Sequence, residues 1–489
     1  MDRKQKIKSF FGCVMTLGIT IMLLRYSTDL MERKYSDEKH EDFFEQEEDF
    51  DVLFLGTSHV MNGIFPMELW RDYGIVSYNF GGRGNMIATS YWVMKNALDY
   101  TSPQLMVIDC YYLSEPDKFA PLFSRVHDDF DAFPLSKTKI QTVYDLFDGK
   151  MEIEEIAEEN KTISRNCMEI IWNYAIYHTR WSELCEDDFQ PKSNEEKGAD
   201  SCIAVWEPKE IVKIPTASKM EGDTVSVTYL KKIIEECQEQ GIDVLLIYLP
   251  FAAGEKDQRD ANRVYDIAKE YDVNYINFLD LDIVKYETDY FDSGHLNSSG
   301  SRKVTDYIGR YIEEHYDLSD RREDDSYHGW YTDYADYVVK KINDFQTQES
   351  LDNYLMLLAD KNFSAVMEIN NPVLYSSDSY IHLLDNLGIN SSELTENTDF
   401  IVIEEVGRQA ESFENFHKFN NSEMTALGEF SLFTAEDGTY GMYLDNKEFY
   451  AIDSEQNTDV DVRITVIDRE TKEIVDQSTF TESQIFRKN

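Results

Sequence analysis

Five short apolar runs, separated by amphipathic stretches, constrain this chain more than any other feature of its sequence. They are Val52–Leu55, Val76–Phe80, Leu105–Ile108, Val244–Leu249 and Val273–Phe278. A strand with one wet face alternates apolar and polar side chains, whereas a strand rich in Val, Leu and Ile throughout must be covered on both faces. Between the runs, Met86–Leu98, Val227–Gln240 and Asp260–Tyr271 carry apolar residues at helical spacing. Strands alternating with helices predict β-α units around a parallel sheet, a doubly wound α/β domain.

With 489 residues, the chain exceeds one ordinary core. The α/β pattern occupies residues 50–316 and closes with a helix over Ser299–His315. Roughly 100 residues between the third and fourth runs, 116–220, exceed a minimal unit and look helical, as a cap over the edge of the sheet would. Their centre, Trp172-Asn-Tyr-Ala-Ile-Tyr-His-Thr-Arg-Trp181, reads first as cap core and second as a sugar-stacking surface. The polar run Asp317–Asp325 marks a boundary, with 317–349 as a linker, although aromatic and helical sequence runs from Tyr327 to Asp360. Residues 350–489 then form an accessory domain, α+β or β-sandwich, with strand-like segments at Gly441–Leu444 and Val462–Ile467.

The N-terminus sets the compartment. Residues 1–8 are basic and Phe10–Leu24 is nearly all apolar, which reads as a cytoplasmic tail and a single membrane anchor over 9–26. The apolar run is shorter than the roughly 20 residues of an average span, so a cleaved signal peptide is the rival, with a buried core helix third. No small-residue cleavage site precedes Arg25, which favours the anchor. An acidic spacer follows over 27–49, and the bulk of the chain is expected outside the membrane. A net charge of −47 and a pI near 4.4 make nucleic acid an unsuitable partner. The six cysteines lack metal-ligand spacing; a Cys185–Cys202 disulfide stays open. No metal and no cofactor is expected.

Two segments carry chemistry. Val52-Leu-Phe-Leu-Gly56-Thr-Ser58-His59 runs a buried strand into a Gly-x-Ser turn, which exposes the Ser58 hydroxyl and N–H at the edge of the sheet. Val60 stands where the elbow of α/β-hydrolases has a second glycine. Far downstream, Phe291-Asp292-Ser-Gly-His295 has the spacing that lets a carboxylate hold one imidazole nitrogen while the other faces a hydroxyl. Ser58, His295 and Asp292 are the candidate catalytic residues.

Gly56-Thr-Ser58 and Asp292-Ser-Gly-His295 together resemble blocks I and V of the SGNH (GDSL-like) hydrolase superfamily over about residues 50–316. Asn79-Phe-Gly81-Gly-Arg-Gly84-Asn85 resembles block II, in which Gly84 would supply an oxyanion N–H. The chain departs at block III: Asp109-Cys110-Tyr111-Tyr112 stands where the family has G-x-N-D. The missing donor would be replaced by Tyr111 or Asn85, or by backbone N–H groups alone; Tyr111 as mere packing is the alternative. The resemblance implies a flavodoxin-like sheet. The lost Asn, the anchor and the Gly-Thr-Ser-His block are similar to divergent SGNH proteins of alginate acetylation and teichoic-acid D-alanylation. That likeness implies an esterase or O-acyltransferase on acyl, above all acetyl, esters of envelope polysaccharide, beside a membrane-bound acyl exporter. A catalytically silent glycan-binding or assembly protein is the competing reading. Arg180 is a candidate for holding an anionic sugar, with a surface ion pair as the alternative. His59 and His178 are further candidates for site contact, although a His beside a nucleophile or in an aromatic helix reads first as structural. The C-terminal segment from about Ser350 loosely resembles an interleukin-like EMT-inducer domain, which would make it glycan-binding; a generic accessory β domain is the other reading.

Overall fold

The computed structural model describes residues 3–32, 40, 42–44, 46, 48–120, 122–157, 161–172, 174–189, 195–209, 211–370, 377–407, 409–414, 421–425, 427–434, 440–445, 447–452, 461–481 and 485–487. The acidic stretch expected as a spacer begins inside the first helix and from residue 33 lies largely outside the described residues.

Helix α1 (Arg3–Glu32) is longer than its apolar core. Within Arg3–Thr28 an 18-residue window has mean hydropathy 1.9 with nothing packed on it, enough to cross a membrane as an anchor or a signal sequence.

The parallel sheet is built from β1 (Val52–Leu55), β2 (Ser77–Asn79) and β3 (Leu105–Asp109), with α2 (Ser58–Gly63), α3 (Pro66–Tyr73) and α4 (Ile87–Ala97) between them. In the insertion lie α5 (Phe123–Phe130), α6 (Lys137–Leu146), β4 (Glu152–Ala157), β5 (Lys161–Asn166), α7 (Met168–Ile171) and α8 (Tyr174–Tyr177). The α/β pattern resumes with α9 (Val225–Gln240), β6 (Asp243–Tyr248), α10 (Glu255–Tyr271), β7 (Asn274–Asn277) and α11 (Ser298–His315). The five strands of the sheet are parallel in the order β2-β1-β3-β6-β7.

Side chains alternate across a strand, so each strand feeds two cores. Val52, Phe54, Leu105, Val107, Leu245 and Ile247 pack with Leu69 of α3 and Val304 and Ile308 of α11. Leu53, Leu55, Met106, Ile108, Val244 and Leu246 pack with Val93 of α4, Ile233 of α9 and Val264 of α10. Every one of these strand residues is buried, which is why their runs are continuously apolar. Thr224 caps α9 by accepting from the Val227 N–H, and Gly241 closes the helix with φ +75°.

The insertion is less helical than expected. Besides α5 to α8 it contains the antiparallel β4–β5 hairpin, and after Glu195 it runs as an extended strap along the α/β unit. Of its aromatic run, Trp172 and Trp181 are exposed, and the helices pack instead on the end of α1.

Residues 317–349 are not a linker. They hold α12 (Gly329–Thr347), whose Trp330 and Tyr337 join the core of the α/β unit while Phe345 joins the core beyond it. The polar run 317–325 signalled a boundary; the aromatic spacing after it belongs to a helix buried on two sides.

Beyond α12 come α13 (Leu351–Leu357), β8 (Phe363–Ile369), α14 (Asp378–Asn386), β9 (Thr398–Glu405), β10 (Gln409–Glu414), β11 (Asn421–Thr425), β12 (Gly428–Thr434), β13 (Tyr440–Leu444), β14 (Lys447–Ile452), β15 (Val462–Asp468), β16 (Ile474–Phe480) and β17 (Ile485–Arg487). Among the described residues they form a six-stranded sheet, β10-β9-β8-β15-β16-β17, and a four-stranded one, β11-β12-β13-β14, with antiparallel pairing throughout. Val366, Phe400 and Val402 of the larger sheet meet Phe430, Leu432 and Met442 of the smaller. The other face of the larger sheet buries Met367, Ile401 and Ile464 against α13 and α14.

Candidate active site

With the strands in this order, chain connections diverge on either side of β1 and β3, and a crevice opens beyond their C-terminal ends. Ser58 sits there, one turn after β1. The turn is made possible by close approaches that no Cβ would survive. A methyl on Gly56 would lie 2.5 Å from Val60 Cγ2 and 2.8 Å from Asp109 Cβ; one on Gly81 would lie 2.3 Å from the Met61 backbone nitrogen. Thr57 caps α2 by accepting from the His59 N–H. Buried Asn79 then fastens the whole turn: its Nδ2 donates to Val60 O and Ile64 O, each at 2.8 Å, while its Oδ1 accepts from Gly81 N at 2.8 Å.

On the opposite lip, between β7 and α11, the Phe291 N–H donates to His295 O at 2.9 Å. Asp292 Oδ1 accepts from Gly294 N at 2.7 Å and from His295 N at 2.9 Å, an Asx turn that fixes the carboxylate beside the imidazole. Both Asp292 oxygens lie 3.0 Å from His295 Nδ1. Asn297 caps the following helix through Ser299 N and Gly300 N, so the loop is anchored immediately past the histidine.

The two lips meet. Ser58 Oγ is 2.8 Å from His295 Nε2 across 237 residues of sequence. Partial burial raises the Asp292 pKa, but the Gly294 N–H, the His295 hydrogen bond and its charge outweigh that and hold it below the ordinary carboxylate value. The chain of hydroxyl, imidazole and carboxylate is the arrangement in which a base can take a proton from the hydroxyl while the carboxylate fixes its tautomer.

The loop Asn79–Asn85 lies against the Gly-x-Ser turn. Gly82 N donates to Gly56 O at 3.0 Å, and Thr57 and Gly82 form a parallel bridge. Gly84, at φ +69°, holds a conformation that favours glycine. Asn85 is buried in this loop with its Nδ2 unpartnered. The Tyr111 ring lies tilted against His59 with centroids 4.3 Å apart, and burial raises its phenol pKa. Arg180 lies elsewhere altogether. It is buried, paired with Asp188 Oδ1 at 2.5 Å and bonded to Met31 O, because α8 and the turn after it pack on α1. His178 sits in the same turn and is exposed. Cys185 and Cys202 are unbonded to each other.

Three features of the site had no role in the sequence reading. Asn79 stood in the block II pattern, and its spacing before Gly81 was the available signal. Asp109 ends β3 beneath Gly56; burial pushes its pKa up to about 7 against N–H bonds from Leu249, Tyr111 and Cys110. The strap 195–206 carries no motif, yet Asn62 Nδ2 donates to Asp200 O at 2.9 Å and Asp200 N to Met61 O at 2.9 Å, tying the strap to α2.

No family model matches the chain, and no curated protein does. A solved structure of a proposed acylhydrolase from Bacteroides fragilis aligns with 57% of this chain and 97% of its own length, at 11% identity and a TM-score of 0.28. A likeness this loose carries no argument about what the chain does.

Proposed function

We propose that the chain is a serine esterase or O-acyltransferase of the SGNH type, anchored by α1 with the rest of the protein outside the membrane. Its substrates are acyl, above all acetyl, esters of envelope polysaccharide. The observation that carries the reading is the 2.8 Å contact between Ser58 Oγ and His295 Nε2, with Asp292 on the far nitrogen. Ser58 attacks the ester carbonyl as His295 takes its proton; the ester C–O bond breaks, His295 returns that proton to the leaving alkoxide, and an acyl-serine remains. Water or a sugar hydroxyl then accepts the acyl group by the reverse proton path. In this reading the N–H groups of Ser58 and Gly84 serve as backbone donors to the oxyanion, and Asn85, buried with its Nδ2 unpartnered among the described residues, is a further candidate donor. A membrane-bound acyl exporter is the partner this chemistry calls for when the reaction is transfer.

A fluorophosphonate probe tests the proposal: the folded wild type labels at Ser58, and Ser58→Ala does not. A folded wild type that resists the probe and turns over no acetyl ester refutes it. The absence of the block III Asn favours one other reading, a silent SGNH-fold protein that binds glycan. That reading expects glycan binding undiminished by Ser58→Ala, with no turnover in the wild type.

A further inference from the structure

His59 follows the proposed nucleophile directly, and its side chain turns back into the site. The ring is clamped between Tyr111, at 4.3 Å between centroids, and Phe251, at 4.8 Å, and stands edge-on to His295 at 5.6 Å and 85°. Only 8% of the residue is exposed. Among the described residues Nδ1 is sealed beside the aromatic rings with no partner, whereas Nε2 is not sealed off, has no hydrogen-bond partner there, and would lie 3.8 Å from a methyl on Gly294. Burial and the positive charge of a protonated His295 push the His59 pKa down to about 3, so the ring stays uncharged through the reaction.

An uncharged imidazole carries one proton. Orphaned buried N–H groups are rarer than under-satisfied acceptors, so the sealed Nδ1 keeps the lone pair and the open Nε2 keeps the proton. With ring centres 5.6 Å apart, the two imidazoles border the same site.

The geometry points to His59 as a further catalytic residue of this site, donating a hydrogen bond from Nε2 to the alkoxide oxygen that departs from, or arrives at, the acyl group opposite Ser58. The inference rests on the serine chemistry proposed above. In that step Ser58 Oγ bonds to the acyl carbon, the ester C–O bond breaks, and the proton taken by His295 passes to the departing oxygen. His59 transfers no proton; it stabilises the negative charge while that proton is in flight. Part of the stabilisation that the missing block III donor would give is thereby supplied from the leaving-group side.

The donor matters most when the leaving group is a poor one. The test compares full-length wild type with three variants on triacetin, whose leaving group is an alcohol, and on p-nitrophenyl acetate, whose leaving group needs little help. His59→Phe fills the same space without a donor; kcat/KM on triacetin should fall about 100-fold, the effect of losing one site donor, against less than about fivefold on p-nitrophenyl acetate. His59→Gln places an N–H where Nε2 was and should recover most of the loss. His59→Asn places its N–H where Nδ1 was and should not. Equal losses on both esters, or Asn and Gln behaving alike, would reduce His59 to a structural role and overturn the inference. A wild type inert toward both esters and toward fluorophosphonate would instead overturn the serine chemistry itself.

Discussion

Replacing Asp292 by Asn and by Ala separates two jobs assigned to that carboxylate. As an anion it stabilises the imidazolium that forms on His295; as an acceptor it holds the proton on Nδ1 so that Nε2 is free for Ser58. The first job can be sized. Charges about 4 Å apart interact by about 4 kcal/mol at an effective dielectric of about 20 and about 1 kcal/mol in bulk water. The Asp292 and His295 side chains are 44% and 28% exposed, so the pair sits between these limits. A value of about 2–3 kcal/mol corresponds to about a 30- to 150-fold loss of kcat for Asp292→Ala. Asn does further harm. Its oxygen would stay with the N–H groups of Gly294 and His295, where Oδ1 now sits, and its NH2 would face Nδ1. The proton is thereby forced onto Nε2, the wrong tautomer for accepting from Ser58. Asp292→Asn should therefore be worse than Asp292→Ala, about 10²- to 10³-fold down. That remains short of the roughly 10⁴-fold seen where a triad Asp is fully buried. The assay is kcat on a chromogenic acetyl ester, with thermal melting to confirm folding. An Asn variant within about threefold of wild type, or one better than Ala, would refute the orienting role.

Two other perturbations read groups that the chemistry does not use directly. Asp109 is fully buried, and its pKa is raised from 3.8 to about 7, so the folded state binds a proton more tightly than the unfolded one. Its contribution to stability is complete below the unfolded value and is lost as pH rises through about 7, a cost of up to about 4 kcal/mol for about three pKa units. The stability gap between Asp109→Asn and wild type, measured by denaturant unfolding, should widen in favour of Asn from pH 4 to pH 8; a gap independent of pH would refute this. Arg302 in α11 donates to Glu68 Oε1 at 2.9 Å and Asp360 Oδ2 at 2.8 Å, all three groups being buried. Arg302→Met should cost about 3–5 kcal/mol, because it leaves two buried carboxylates with only the longer ion pairs to Arg71, 3.5 Å from Glu68 and 3.8 Å from Asp360. Adding Glu68→Gln and Asp360→Asn should restore most of the loss in melting temperature; no recovery would show that packing, not charge, is what Arg302 supplies.

What could be read in the sequence follows from how local the signal was. The runs starting at Val52 and Leu105 gave β1 and β3 because burial on both faces leaves an uninterrupted apolar record. Helix α10 was placed from Asp260, whereas it starts at Glu255: its first turn is polar and capped by Gly254, so nothing apolar marked it. Ser58, Asp292 and His295 were legible because each belongs to a short motif whose backbone geometry is local, a Gly-x-Ser turn and an Asx turn. Arg180 is in the ion pair that the sequence offered beside sugar binding, but the pair with Asp188 is buried, because a lone charged residue among aromatics carries no information about how deep its neighbour lies. The strap was invisible for the same reason. Its role is defined by partners up to about 140 residues away, such as Lys340, which bonds Glu196 at 2.6 Å.

Those distant partners bear on why an α/β unit of this kind carries so much additional chain. Lys340 and Lys341 of α12 both bond Glu196, whose carboxyl their charges hold down at about 2 against the effect of burial, and Lys341 also meets Ser201. From Glu196 the strap runs past Asp200, bonded to Met61 and Asn62 of α2, to Cys202, whose carbonyl accepts from Ser298 N at the start of α11. It continues to Ala204, whose carbonyl accepts from Asn297, and its Ile203 and Val205 pack against the C-terminal core. One extended segment therefore touches the helix that begins at Ser58, the helix that begins just after His295, and the unit beyond α12. A hydrogen bond of 2.8 Å between side chains on separate lips tolerates little relative movement of those lips, and supports drawn from the surrounding structure limit it. The buried contacts of α12 and the strap are placed to perform that service. The strap thus links the loops that carry Ser58 and His295 to α12 through Glu196 and to the C-terminal core through Ile203 and Val205.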